Sequence, residues 1–117
     1  MKILIVDDDR LLRAIMSDGL SAEGATCVQA ASGEEALKQV LRERPDVCLF
    51  DQNLPDTTGL ELLALLKRRP ETSGIKVFLV TGSAEGDLKE QAAASGAEAV
   101  LRKPIVPSQV MEKLRAR

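Results

Sequence analysis

Short runs rich in Val, Ile, Leu and Cys alternate along the chain with longer stretches whose apolar residues recur every three or four positions. The first pattern suits a pleated strand, and the second suits a helix that buries one face. Strands are expected at Lys2 to Val6, Thr26 to Ala30, Val47 to Phe50, Lys76 to Val80 and Ala99 to Arg102. Leu12, Ile15, Met16 and Leu20 put one apolar face on a first helix, from about Arg10 to Ala22, which Gly24 ends. Ser32 with Glu35, and Thr58 with Glu61, fit the capping box that satisfies unpaired amides at a helix start. Helix two then turns Ala36, Leu37, Val40 and Leu41 inward and stops before Pro45. Helix three is apolar over a wide arc through Leu60, Leu62, Leu63, Leu65 and Leu66, until Pro70 and Ser73-Gly74 close it. An Ala-rich fourth helix near Asp87 to Ala94 ends at Gly96, and a fifth starts with Pro107 in its first turn and is pinned by Val110 and Leu114.

Strand and helix in strict alternation are the mark of βαβ units around a parallel sheet. With no internal repeat, low-complexity tract or linker, residues 1–117 are expected to form one α/β domain. Composition narrows the function more than the fold. A net charge of -2 and no strongly basic stretch argue against direct nucleic-acid binding and against an anionic membrane surface. Lys67-Arg68-Arg69 is the longest cationic run and is expected to be the solvated last turn of helix three. Only Phe50 and Phe78 are aromatic, so base-stacking surfaces are not expected. Cys27 and Cys48 lie in strands and, without any histidine, make no usual zinc constellation; buried thiols are expected. No apolar segment reaches the length of about eighteen residues that a membrane span needs, and Met1 leads directly into a strand, so a cytoplasmic protein is expected.

The chemistry gathers at the strand ends. In an open parallel sheet the carboxyl ends of the strands face a common crevice where ligands bind. The first strand ends in Asp7, Asp8 and Asp9, the third in Asp51, the fourth in Thr81, and the fifth in Lys103-Pro104. A 2-1-3-4-5 order makes strands one and three neighbours at about 4.8 Å and brings Asp51 near Asp7 and Asp8. Packed carboxylates repel unless they take up protons or bind a cation, and oxygen donors of this kind suit magnesium. Capping of helix one accounts for one of the three consecutive aspartates but not for all of them.

The sequence Ile-Leu-Ile-Val-Asp7-Asp8-Asp9, then Asp51-Gln-Asn-Leu-Pro55 with Gly59, then Val-Thr81-Gly82, then Arg-Lys103-Pro104, resembles the CheY-like receiver domains of two-component response regulators over essentially the whole chain. Each motif alone is weak; their order at consecutive strand ends is specific. The resemblance implies a flavodoxin-like (βα)5 doubly wound sandwich with a five-stranded sheet of order 2-1-3-4-5. It implies that Asp51 accepts a phosphoryl group from a histidine kinase or histidine phosphotransfer protein, and that the switched state is read by a downstream protein or attached effector domain. It further implies Mg2+ held directly by Asp8 and Asp51, through water by Asp7, and by the backbone carbonyl of Asn53. Thr81 and Lys103 would contact the phosphoryl group, and the peptide bond before Pro104 would be cis. Lys103 is also expected to keep Asp51 ionised before transfer. Homodimerisation through the fourth and fifth helices stays open on this resemblance.

Two positions depart from the family. Val100 stands where many receivers have a tyrosine or phenylalanine, and Ile105 stands where phenylalanine is frequent. Switching through an aromatic rotamer is therefore not expected, whereas movement of the loop toward Thr81 is. Asn53 and Ser83 occupy the positions that tend to tune phosphoryl lifetime in the family. The expected protein is a switch rather than an enzyme acting on a separate substrate. Two alternatives are a receiver-like interaction module that signals without phosphate and a Mg2+-dependent aspartyl-phosphate phosphatase. The second needs a carboxylate two residues after the nucleophile to serve as acid and base, where this chain has Asn53. A P-loop enzyme is disfavoured because no glycine-rich loop ending in Lys-Ser or Lys-Thr is present.

Overall fold

The computed structural model describes residues 1–82 and 86–115. Strands β1 (Lys2–Val6), β2 (Thr26–Ala30), β3 (Val47–Asp51), β4 (Lys76–Thr81) and β5 (Ala99–Arg102) alternate with helices α1 (Arg10–Ala22), α2 (Gly33–Glu43), α3 (Gly59–Lys67), α4 (Leu88–Ala94) and α5 (Pro107–Arg115). The strands form one parallel sheet, as the alternation implied, in the order β2-β1-β3-β4-β5 that the resemblance implied. Ser32 and Thr58 cap α2 and α3 through the amides of Glu35 and Glu61, the half of each capping box in which the hydroxyl accepts.

Each sheet face has its own core. Leu4, Val6, Phe50, Val77 and Leu79 pack against α2, α3 and α4, while Ile3, Ile5, Leu49, Phe78 and Val80 pack against α1 and α5. Every residue of β3 is buried, as a central parallel strand covered on both faces requires. Burying one such side chain contributes about 1.5–3 kcal/mol, so the centre of the sheet is the rigid frame on which the strand ends sit. At the α1–α5 contact a Cβ on Gly19 would lie 2.1 Å from Pro107 Cγ, a separation only glycine permits.

The differences from expectation are local. β3 and β4 each run one residue further than the apolar pattern, so Asp51 and Thr81 are strand residues fixed in the ladder, Asp51 opposite Val80 and Thr81 opposite Arg102. On α1, only Met16 and Leu20 are buried; Leu12 and Ile15 are 42% and 52% exposed and line a cavity instead. Leu41 is likewise exposed, at a shallow α2–α3 seam shared with Leu65. Cys48 is buried, whereas Cys27 on the edge strand is only partly so. Of the cationic run, Arg68 and Arg69 are exposed as expected, whereas Lys67 is half-buried: its Nζ donates to the carbonyls of Ser73 at 2.8 Å and Ile75 at 3.0 Å, tying the end of α3 to the entry of β4.

Candidate functional site

Strand periodicity alone sets up the site. Ile3 and Ile5 of β1 and Val47 and Leu49 of β3 face the α1/α5 core, and side chains alternate, so Asp7 and Asp51 continue the same face at the carboxyl edge. Val6 lies opposite Phe50, which puts the two aspartates side by side. Asp8 joins them: one carboxylate oxygen from each of Asp7, Asp8 and Asp51 lies within 4.8 Å of the others. Asp9 has a different task. Its Oδ1 accepts from the amides of Leu11 and Leu12, so it is the aspartate that caps α1. Asp7 is held by the Asp9 amide, which donates to its Oδ1 at 2.9 Å, and its carbonyl accepts from Arg13 Nη1 at 2.7 Å.

Lys103 enters from the end of β5, where its amide donates to the Thr81 carbonyl at 2.8 Å and the Lys103–Pro104 peptide is cis. Its Nζ lies 3.2 Å from Asp51 Oδ2 and 3.3 Å from Asp7 Oδ2, bridging the two carboxylates. The other Asp51 oxygen accepts from the Asn53 amide at 3.3 Å. Thr81 is buried at the end of the next strand. Val100 packs half-buried against the α2/α3/α4 core, opposite Leu79, and Ile105 packs against the other core. Ser83 lies outside the described residues.

Charge is unbalanced in this pocket. Burial, and then the neighbouring Asp7 charge, push the Asp51 carboxyl above its ordinary value of 3.8, against the downward pull of the Lys103 hydrogen bond and charge. Lys103 acts on Asp51 in the expected sense, favouring the charged carboxylate, while burial and Asp7 act against it and set the direction of the shift. For Lys103 itself burial acts downward, but the hydrogen bond and charge of Asp51, followed by those of Asp7, raise it above 10.5. An all-oxygen cluster in which burial and a like charge disfavour the charge on the central carboxylate is the donor set that a hard divalent cation satisfies. Among the described residues, Asp7, Asp8 and Asp51 form a group able to hold one.

Two features of the site, at Gln52 and Asp56, had escaped the sequence reading. Gln52 lends its side-chain oxygen to the Leu60 amide, closing the start of α3 over the loop after Asp51. Asp56, further along this loop, accepts from the amides of Gly33 and Glu34. Gly59 allows the loop to fold tightly, since a Cβ there would lie 2.9 Å from the Asp51 carbonyl oxygen. A polar residue one or two places beyond a strand end was the available signal for Gln52; nothing local marks Asp56. Beside the acidic cluster, Leu12, Ile15, Met16 and Ile105 wall a cavity of about 330 Å3 that opens onto Asp7, Asp51 and Lys103. These walls are where the unexpectedly exposed residues of α1 lie.

Comparison with known proteins agrees with this layout. A family model described as response regulator receiver domain matches residues 3–115. The chain is 34% identical over 114 residues to the phosphate regulon transcriptional regulatory protein PhoB of Pseudomonas aeruginosa, covering 97% of this chain and 50% of that protein. It thus spans about half the length of such relatives. It is 33% identical to the sporulation initiation phosphotransferase F of Bacillus subtilis, covering 97% of this chain and 90% of that one. A CheY-like receiver domain protein of Methanospirillum hungatei superposes with a TM-score of 0.90 at 34% identity, over 98% of this chain and 90% of the other.

Proposed function

Since the chain belongs to the response regulator receiver domain family of two-component signalling, we propose that it is a single receiver domain over residues 1–117 whose Asp51 accepts a phosphoryl group from a phosphohistidine. The donor is a histidine kinase or histidine phosphotransfer protein, and the output is a change in binding to a downstream protein or effector domain. The observation that carries this reading is Lys103 Nζ set between Asp51 and Asp7 at 3.2 and 3.3 Å, with Asp8 beside them, at the carboxyl edge of the sheet.

In this reading a carboxylate oxygen of Asp51 attacks phosphorus in line with the phosphorus–nitrogen bond of the donor. The new oxygen–phosphorus bond makes an acyl phosphate, and the electron pair of the broken bond leaves on the imidazole nitrogen. Such transfer demands positioning and charge neutralisation more than covalent machinery. Asp8, Asp51 and the Asn53 carbonyl would hold Mg2+, with Asp7 on its water shell; the cation supplies positive charge to the phosphoryl oxygens when bound. Lys103 contributes a second positive charge, already at hydrogen-bonding distance from the acceptor. The Thr81 hydroxyl donates to a phosphoryl oxygen only after transfer, and this bond draws in the loop that follows β4. A phosphatase role is disfavoured because Asn53 cannot act as the acid and base.

Incubation with acetyl phosphate and Mg2+ is expected to add the mass of one phosphoryl group, read by intact mass spectrometry. The adduct is expected to be lost in hydroxylamine, which cleaves acyl phosphates, and not to form when Mg2+ is chelated. No adduct, or one stable to hydroxylamine, overturns the reading.

A further inference from the structure

The loop from Gln52 to Thr58 carries Asn53, and it is fastened at both ends and at its tip. At its base the Gly59 amide donates to the Gln52 carbonyl at 3.0 Å, and Leu60 donates to the Gln52 side chain. Across it Asn53 and Thr58 form an isolated antiparallel bridge, and the Leu54 amide reaches the Thr57 carbonyl at 3.2 Å. The tip is fastened elsewhere. Asp56 Oδ1 accepts from the Gly33 amide at 2.8 Å and Oδ2 from the Glu34 amide at 3.0 Å, the first two amides of α2. A helix leaves its opening amides without internal partners, and a carboxylate there is favoured by the helix dipole as well. These two bonds hold the Asp56 carboxyl below its ordinary value, so it is charged at neutral pH.

Gly33 gives independent testimony to the same contact. A Cβ at this position would lie 2.4 Å from Thr57 Cγ2 and 3.2 Å from Asp56 Oδ1, so the loop is pressed against the helix start more closely than alanine would permit. The start of α2 is therefore capped twice, by its own Ser32 through Glu35 and by the distant Asp56 through Gly33 and Glu34.

We propose that Asp56 is a positioning residue for the cation site: by clamping the 52–58 loop to the N-terminus of α2 it holds the Asn53 carbonyl in place, and it thereby couples cation binding at Asp7, Asp8 and Asp51 to order at the start of α2. This rests on the reading that the Asn53 carbonyl is a ligand. Linkage makes the coupling reciprocal, so the cation must in turn tighten the amides of Gly33 and Glu34.

Mg2+ titration of the whole chain, followed by amide NMR with hydrogen exchange, tests both directions. Asp56→Ala is expected to weaken Mg2+ binding about 10-fold, in line with the loss of a supporting group around a metal site. Asp56→Asn, which keeps one acceptor oxygen, is expected to fall between Asp56→Ala and wild type, and it carries the test if Asp56→Ala does not fold. Ser32→Ala removes the helix's own cap without touching the loop and is expected to bind Mg2+ as wild type does. In wild type, Mg2+ slows exchange at Gly33 and Glu34; in Asp56→Ala it does not. Wild-type affinity in both Asp56 variants overturns the clamp, as does equal weakening by Ser32→Ala, which would trace the effect to α2 itself. Failure of the wild-type chain to bind Mg2+ is a separate result that overturns the parent reading and the clamp together.

Discussion

Asp51→Asn is expected to take up no phosphate from acetyl phosphate and Mg2+, a complete loss of the adduct, while melting at a higher temperature than wild type in the presence of a chelator. The amide oxygen of asparagine can still accept from the Asn53 amide, so the loop loses little, but an amide is no nucleophile at phosphorus. The rise in stability follows from the charge imbalance. Asp51 has a folded value raised above the 3.8 of the unfolded chain, first by burial and then by Asp7. Between those two values the folded state binds more protons than the unfolded state, so metal-free stability falls as pH rises through that window and stays lower above it. Below about pH 3.8 the penalty is absent. The variant lacks the group and should lack this part of the pH dependence, which thermal unfolding from pH 3 to pH 8 would reveal. An adduct on Asp51→Asn would place the acceptor elsewhere, and a lower melting temperature would show the electrostatic account to be wrong.

Lys103→Met should act in the opposite sense on stability and in the same sense on chemistry. The lysine ammonium is the positive charge the structure places within 3.3 Å of both Asp7 and Asp51, so its loss leaves two neighbouring carboxylates uncompensated. Because the lysine side chain is 28% exposed, solvent moderates the cost to roughly 1–3 kcal/mol at neutral pH, below the range for fully buried pairs. The contribution of the lysine fades at the alkaline end. A lysine whose folded value is raised gives stability that is complete below its unfolded value of 10.5 and is lost as pH climbs through the folded value. Wild type should therefore lose this contribution above about pH 10.5 and the variant should not. Phosphoryl transfer from acetyl phosphate should slow about 100-fold, the scale seen when one preorganised electrostatic contact to a transition state is removed. Rates by intact mass at saturating Mg2+ test this, and an unchanged rate would remove Lys103 from the mechanism.

Much of this site was legible because period-two alternation fixes a face before any coordinates exist. Once β1 and β3 are neighbours, odd-numbered residues on both must share a side, and Asp7 and Asp51 follow. Capping was legible at Ser32 and Thr58 because both halves of the motif lie within one turn. Asp56 was not, since its partners are 23 and 22 residues away and a tertiary cap leaves no periodic trace. Helical spacing gave the right face for Leu12, Ile15 and Leu41 but could not say where the opposing surface stops; there the side chains line a cavity or seam instead. The direction of the Asp51 shift was not legible for a related reason. A list of neighbouring charges omits desolvation, which here is the largest influence.

The thiol of Cys48 lies three residues ahead of Asp51 on the same fully enclosed strand, and burial pushes it far above the range in which a thiolate forms. An alkylating reagent can meet that sulfur only when the middle of the molecule comes apart, so its labelling rate counts those excursions one atom at a time. Occupancy of the acidic edge would then register as a change in how often the interior opens.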